Sequence, residues 1–86
     1  MKVEMFYTPG CPDCVAAHAR LRTTAQEAVK NLVWRELNVL DELDYAVELG
    51  VLTLPSIAID GKLVFTSMPT VAQLRTALIE RSKGRE

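Results

Sequence analysis

The fold of this chain is decided at residues 7–14, YTPGCPDC, which hold both of its cysteines. Residues 1–7 lead into this stretch with alternating side chains, a pattern that is typical of a strand. Pro12 suits the first turn of a helix, where a missing N–H costs nothing, and apolar residues then recur at helical spacing. The sequence therefore predicts a strand, a short turn and a helix that begins at the cysteine pair.

Because Cys11 and Cys14 stand three positions apart at the start of this helix, their side chains are expected to face the same way. The unpaired N–H groups and the positive end of the helix dipole favour an anion there, so Cys11 is expected to ionise more readily than a free thiol. A Cys11 thiolate can attack a disulfide in another molecule, and Cys14 can then release that molecule by closing a Cys11–Cys14 disulfide. Asp13 opposes part of this ionisation because its carboxylate repels a thiolate. We therefore expect a reducing rather than a strongly oxidising couple.

Length and composition predict one small domain over residues 1–86, with a polar end, residues 81–86, that frays. The formal net charge of −1 gives no electrostatic reason to bind nucleic acid, and no segment resembles a membrane span or a secretory signal. We therefore expect a cytoplasmic protein without nucleic-acid or membrane partners. In a reducing compartment a close cysteine pair is more often catalytic or metal-binding than a structural crosslink.

The middle of the chain predicts a second strand and a second helix. The first helix is expected to run to about Asn31, and residues 32–39 follow as a strand without a clean apolar face. Asp41 is expected to cap a short helix, which Gly50 ends with the left-handed geometry that glycine tolerates.

The last third predicts a hairpin and a closing helix. Residues 56–59 and 62–65 read as two strands, and Asp60-Gly61 between them is a strong hairpin turn signal. Residues 70–73, TVAQ, form a capping box that opens the last helix. The predicted order of elements is β-α-β-α-β-β-α.

A cysteine pair inside a βαβ pattern is a signature of thioredoxin-like redox motifs, and this chain resembles the thioredoxin/glutaredoxin superfamily over nearly its whole length. Four segments carry the resemblance: residues 7–14 with their CPDC motif, Gly50-Val51 with Thr53-Leu54-Pro55, the Asp60-Gly61-Lys62 hairpin, and Pro69-Thr70 with Leu74. The resemblance implies a thioredoxin-like α/β fold, in which a four-stranded mixed sheet is flanked by three helices. It also implies a thiol–disulfide oxidoreductase that reduces protein disulfides through a mixed disulfide at Cys11.

The same resemblance implies roles for individual residues. Cys11 is the expected nucleophile and Cys14 the resolving thiol. The backbone of Leu54 is expected to pair with an extended substrate segment, and Pro55 to follow a cis peptide bond beside the cysteines. The residues expected to bind substrate are Pro12, Asp13, Leu54 and Pro55. The expected partners are protein disulfides and an electron donor, either a reductase or a low-molecular-weight thiol, acting on a monomer that needs no cofactor and no metal.

The chain departs from the superfamily pattern at three places. Met5 stands six residues before Cys11, where many thioredoxins have a buried aspartate, so proton transfer at Cys14 must use water or another group. Gly10 precedes Cys11 in place of a tryptophan. Residues 66–69, TSMP, occupy the region where glutaredoxins have paired glycines that help to hold glutathione. A protein disulfide is therefore favoured over glutathione as the substrate.

Other functions stay open beside the reductase. One is a metal-binding module that holds zinc, or an iron–sulfur cluster shared between two copies through Cys11; others are a glutathione-dependent glutaredoxin and a redox-inert interaction domain. His18 falls one turn beyond Cys14 and can in principle join the cysteines at a metal. Zinc normally takes four protein ligands in a structural site, so a surface or half-buried imidazole is favoured for His18. A modest electrostatic effect of His18 on the thiols stays open beside it.

Overall fold

The computed structural model of the chain describes residues 1–83, which form seven elements in the predicted order. They are β1 (Lys2–Tyr7), α1 (Pro12–Ala28), β2 (Val33–Asn38), α2 (Leu43–Leu49), β3 (Ser56–Ile59), β4 (Lys62–Phe65) and α3 (Val71–Lys83). The strands form one sheet in the order β2-β1-β3-β4. β1 is parallel to β2 and antiparallel to β3, and β3 is antiparallel to β4. The predicted four-stranded mixed sheet with three helices is confirmed.

β1 contributes side chains to a hydrophobic core on each face of the sheet, because its side chains alternate between the two faces. Val3 and Met5 are buried on the face covered by α1 and α3, whereas Phe6 is buried on the face covered by α2. The other buried members of the α1/α3 core are Cys14, Ala17, Leu21, Ala25, Leu32, Ile57, Ile59, Leu74 and Leu78. The start of α1 is therefore anchored to the main core through Cys14.

A buried carboxylate lies on the α2 face of β1. Glu4 is fully buried. Its Oε1 accepts a 2.5 Å hydrogen bond from the Tyr45 hydroxyl, and its Oε2 accepts a 3.2 Å bond from Nη1 of Arg35. Lys2 Nζ lies 3.9 Å from Oε1. The bond to Glu4, followed by burial, raises the pKa of Tyr45 to about 12. A buried carboxylate is tolerated here because it has both hydrogen-bond donors and cationic neighbours.

α1 ends at Ala28, three residues before the predicted end at Asn31. Val29 is extended, with φ −134° and ψ 124°, and Asn31 has a left-handed φ of 61°. Asparagine tolerates this region better than most residues, and a turn there reverses the chain into β2.

The start of α2 also differs from the prediction. Its N-cap residue is Glu42 rather than Asp41, and no side chain caps the helix. Asn38 accounts for the difference: its Oδ1 accepts a 3.0 Å bond from the N–H of Leu40, a local turn that sets the approach to the helix. The end of α2 is as predicted, since Gly50 has a left-handed φ of 89°.

The hairpin and the capping box are both confirmed. Asp60 and Gly61 have φ values of 51° and 82°, as a tight turn between antiparallel strands requires. At the start of α3, the Thr70 hydroxyl accepts a 3.0 Å bond from the Gln73 N–H, and the Gln73 side chain accepts a 2.9 Å bond from the Thr70 N–H. These local signals set the register of β3 with β4 and the first turn of α3.

α3 continues through residues 81–83, which were expected to fray, and the rest of that predicted tail lies outside the described residues. Within residues 1–83, no helix combines the length and the apolar character that crossing a membrane requires.

Candidate redox site

Cys11 and Cys14 are joined by a disulfide at the start of α1, with their Cα atoms 5.3 Å apart. Cys11 is the N-cap residue of α1 and has an extended backbone, with φ −106° and ψ 95°. Its Sγ accepts a hydrogen bond from the N–H of Cys14, over an N to S distance of 3.2 Å. The Cys11 N–H in turn donates to the carbonyl of Thr8 at 3.1 Å, which closes the turn before the helix. The predicted start of the helix at the cysteine pair is confirmed.

The two sulfur-bearing residues differ in exposure. Cys14 is 1% exposed and belongs to the α1/α3 core, whereas Cys11 is partly exposed. Pro12 and Asp13, which lie between them, are both exposed in the first turn of the helix. Another molecule can therefore reach Cys11 but not Cys14 without moving the fold. Thiol–disulfide exchange requires direct attack on one sulfur, so the difference in exposure determines which of the two sulfurs a partner can reach.

The start of α1 favours negative charge on Cys11. The N–H of Cys14 already points at the Cys11 sulfur, and the 17 residues of α1 place the positive end of the helix dipole beside it. Asp13, the acidic residue of the first turn, adds an opposing negative charge. We therefore expect a Cys11 thiolate to be favoured by the helix start and partly opposed by Asp13.

The Leu54–Pro55 peptide bond is cis, as the resemblance implies. Pro55 is buried directly before β3, and Leu54 is partly exposed. Leu54 packs against the same core that holds Cys14 and against the core on the α2 face.

Two hydrogen bonds hold the segment around this peptide bond. The Thr53 hydroxyl donates to the carbonyl of Thr66, just after β4, and the Ser56 hydroxyl donates to the carbonyl of Thr53 at 2.6 Å. The segment is thus tied to the end of the hairpin, and Leu54 has a defined position beside the main core.

A cavity of about 250 Å³ lies beside Cys14. Its lining residues are Met5, Tyr7, Cys14, Val15, His18 and Glu36. Met5 is buried at the position where many thioredoxins have an aspartate. It therefore brings no ionisable group to Cys14. The ionisable side chains that line this cavity with Cys14 are Tyr7 from β1, His18 from α1 and Glu36 from β2.

His18 and Glu36 form a pair within this cavity. The Nδ1 of His18 lies 3.1 Å from Oε2 of Glu36, and the same oxygen accepts a 2.9 Å bond from Nε1 of Trp34. His18 is among the residues considered from the sequence, whereas Glu36 is not. The available signal was the alternation of β2, which puts Trp34 and Glu36 on one side of the strand, the side that α1 covers.

Within residues 1–83, no three or more histidine, cysteine, aspartate or glutamate side chains come together as a metal site requires. His18 is directed to Glu36 at 3.1 Å rather than joined with both cysteines around a common point. Within one copy of the chain, this part therefore gathers no donor set for zinc.

Comparison with known proteins supports the redox interpretation. A thioredoxin domain family model matches residues 1–79. The chain is 33% identical to a thioredoxin of Methanocaldococcus jannaschii over 85 residues, covering 99% of this chain and 95% of that one. It is 38% identical to a thioredoxin of Methanothermobacter thermautotrophicus over 64 residues, covering 73% and 77% of the two chains.

Thioredoxin 1 of Thermosipho africanus has the same fold, with a TM-score of 0.78 at 21% identity over 99% of this chain and 97% of that one. The chain therefore belongs to the thioredoxin domain family and is a thiol–disulfide oxidoreductase, as the cysteine pair predicts.

Proposed function

We propose that this protein reduces disulfides in other proteins, with Cys11 as the nucleophile and Cys14 as the resolving thiol. The observation that carries the proposal is the unequal exposure of two bonded cysteines: Cys11 is accessible at the start of α1, and Cys14 is 1% exposed. A partner therefore meets Cys11, and only Cys11 has the helix start to stabilise its charge.

The reaction follows from these positions. In the reduced protein, the Cys11 thiolate attacks one sulfur of the target disulfide, so that a Cys11–target bond forms and the first target thiolate leaves. Cys14 then loses its proton and attacks the Cys11 sulfur. The Cys11–Cys14 bond forms, the Cys11–target bond breaks, and the second target thiolate leaves. Two electrons have passed from the dithiol to the target, and protonation of the released thiolates completes the exchange.

We propose that substrate binds at Pro12, Asp13, Leu54 and Pro55. Pro12 and Asp13 are exposed beside Cys11, and the partly exposed Leu54 is held by the bonds of Thr53 and Ser56. We propose that the Leu54 backbone pairs with an extended target segment and that Pro55 forms the floor beneath it. An ordered backbone of this kind binds different target sequences, because the main chain is common to all of them.

The partners proposed are protein disulfides as substrates and a reductase or a low-molecular-weight thiol as electron donor. Relatives named thioredoxin support this choice, as do the residues 66–69 that stand where glutaredoxins have glycines. A single-domain monomer over residues 1–86, acting in the cytoplasm without a cofactor, remains our proposal. A reducing compartment suits it because such a compartment can regenerate the dithiol.

Single-turnover exchange with a disulfide-linked protein tests the proposal. The reduced protein, freed from its reductant, should lose two hydrogens and reduce about one substrate disulfide per chain. Cys14→Ser should stop as a covalent adduct through Cys11, and Cys11→Ser should give neither adduct nor product. An adduct through Cys14 in the Cys11→Ser protein would reverse the roles. Adducts with oxidised glutathione and with no protein disulfide would favour the glutaredoxin alternative.

A further inference from the structure

We propose that His18, held by Glu36, accepts the proton of Cys14 when Cys14 resolves the mixed disulfide. This inference rests on the proposed function and assigns the group that the second step requires. His18 is the base at the reacting thiol, and Glu36 is a positioning residue that acts through His18.

The need for a base arises from where Cys14 lies. Burial in an apolar core disfavours a thiolate, and Cys14 is 1% exposed beneath the helix start. The features that stabilise charge at this end of α1 are directed to Cys11, since the Cys14 N–H itself donates to the Cys11 sulfur. Met5, on the neighbouring strand, has no group that can take a proton. The Cys14 thiol therefore needs an acceptor from elsewhere in its surroundings.

His18 is placed to be that acceptor. Cys14 and His18 are four residues apart on α1, so they lie on one face of the helix with Cβ atoms about 5–6 Å apart. Both line the same cavity of about 250 Å³. The cavity has room for water, so the proton can pass directly or through one water molecule.

The bond to Glu36 prepares His18 for this role. A carboxylate only accepts hydrogen bonds, so the contact between Nδ1 and Oε2 at 3.1 Å assigns the hydrogen to Nδ1 and leaves the lone pair on Nε2. Once Nε2 takes the proton, the Glu36 carboxylate is paired with an imidazolium. Trp34 donates to the same Oε2 at 2.9 Å and fixes the carboxylate.

Other groups at the cavity do not replace His18. Tyr7, from β1, carries a phenol hydroxyl, which is a weaker proton acceptor than an imidazole nitrogen. Glu36, from β2, uses Oε2 to accept bonds from His18 and Trp34, and we assign it the positioning role. Cys11 is already in the mixed disulfide at this stage and cannot accept a proton.

Cys14 transfers its proton to Nε2 of His18, the Cys14 thiolate attacks the Cys11 sulfur, and the Cys11–Cys14 bond forms. The bond between Cys11 and the target sulfur breaks with its electron pair on the target, and the target thiolate takes a proton from the imidazolium or from water. When a donor thiol later opens the disulfide at Cys11, the imidazolium can return a proton to Cys14.

Stopped-flow exchange with Ellman's disulfide separates the two steps, because one coloured thiolate is released as Cys11 attacks and a second as Cys14 resolves. His18→Gln should leave the first release unchanged and slow the second about 100-fold near pH 7, within the range of a positioned base. The pH dependence of the second phase should differ between the unaltered protein and His18→Gln. Arg20→Gln, an exposed change on the same helix, is the matched control and should alter neither phase.

Glu36→Gln tests the positioning role. It should slow the second release about tenfold by itself and should add nothing in a His18→Gln background, because residues that act as one unit are not additive. His18 and its partner are both partly exposed, at 40% and 26% of their side chains, so these variants are expected to fold. In His18→Ala, added imidazole should restore the second phase, a recovery that does not follow from a merely structural role.

Two results would overturn the inference: a second phase that His18→Gln leaves unchanged, or equal slowing of both phases. Absence of the first release from the unaltered protein would instead disprove the proposed nucleophile. The two failures are thus distinguishable in one record.

Discussion

The hydroxyl of Tyr45 donates a 2.5 Å hydrogen bond to Glu4, joining α2 to the central strand on the face of the sheet away from the disulfide. Arg35 from β2 approaches the other carboxylate oxygen at 3.2 Å. Glu4 thus connects three elements that are distant in sequence. Because this polar cluster lies on the α2 face and the cysteines lie on the α1/α3 face, stability and redox chemistry can be altered separately.

Tyr45→Phe is expected to lower the free energy of unfolding by about 1–3 kcal/mol, since it removes a donor from a fully buried carboxylate. Urea unfolding of the oxidised protein measures the change. The rate of disulfide exchange at Cys11 should not alter, as Tyr45 lies on the other face. An unchanged urea midpoint would mean that Arg35 and Lys2 satisfy Glu4 without the phenol.

The same bond predicts a dependence on alkaline pH. The pKa of Tyr45 is raised from 10.0 to about 12 in the folded protein, so folding favours the neutral phenol. This contribution to stability is fully present below about pH 10 and is lost as the pH rises through about 12. The difference in unfolding free energy between the unaltered protein and Tyr45→Phe should therefore shrink across that window. The oxidised protein should be used, because its cysteines do not titrate.

Two glycine substitutions should have opposite effects on stability. Gly50 has a φ of 89°, and no atom lies within 4 Å of an added Cβ, so Gly50→Ala should cost about 1–2 kcal/mol through backbone conformation alone. Gly10 has no positive φ, and an added Cβ meets only Thr8 Oγ1, at 3.8 Å. Gly10→Ala should therefore stabilise the protein by about 0.4–1 kcal/mol, by restricting the unfolded chain. Thermal or urea unfolding gives both values, and equal effects of one sign would contradict the conformational explanation.

Asp13→Asn is expected to make the couple more oxidising. Removal of the negative charge beside Cys11 stabilises the thiolate, and a stabilised dithiol form is a weaker reductant. An exposed charge interaction of about 0.3–1 kcal/mol corresponds to about 5–20 mV for this two-electron couple. Equilibration with glutathione buffers measures the potential. A shift to more negative values would show that Asp13 acts chiefly by supporting the start of the helix.

Local sequence signals predicted most of the fold. Asp60-Gly61, the capping box at Thr70, and Gly50 each act over a few residues, and all three were found where expected. The start of α1 at Cys11 belongs to the same class, because a proline in the first turn and a following apolar period are both local.

The features that could not be predicted depend on competition between neighbouring capping and turn residues, or on contacts between residues far apart in the sequence. Asp41 is a good capping residue, but the turn made by Asn38 determines the entry to α2. Glu4 looked like an ordinary polar residue of an alternating strand, since the residues that make its burial tolerable stand 31 and 41 positions away. The pairing of His18 with Glu36 spans 18 positions and two kinds of element. This pairing depends on how α1 packs on β2. The hydrophobic periodicity of each segment alone does not specify that packing.

The sulfur of Cys11, the proposed nucleophile, also caps the N-terminus of α1 by accepting a hydrogen bond from the Cys14 amide. Serine is among the residues preferred at such a position, so Cys11→Ser is expected to abolish electron transfer while keeping a capping group on the helix. This exchange of one atom is therefore expected to give an inactive protein with an unchanged fold.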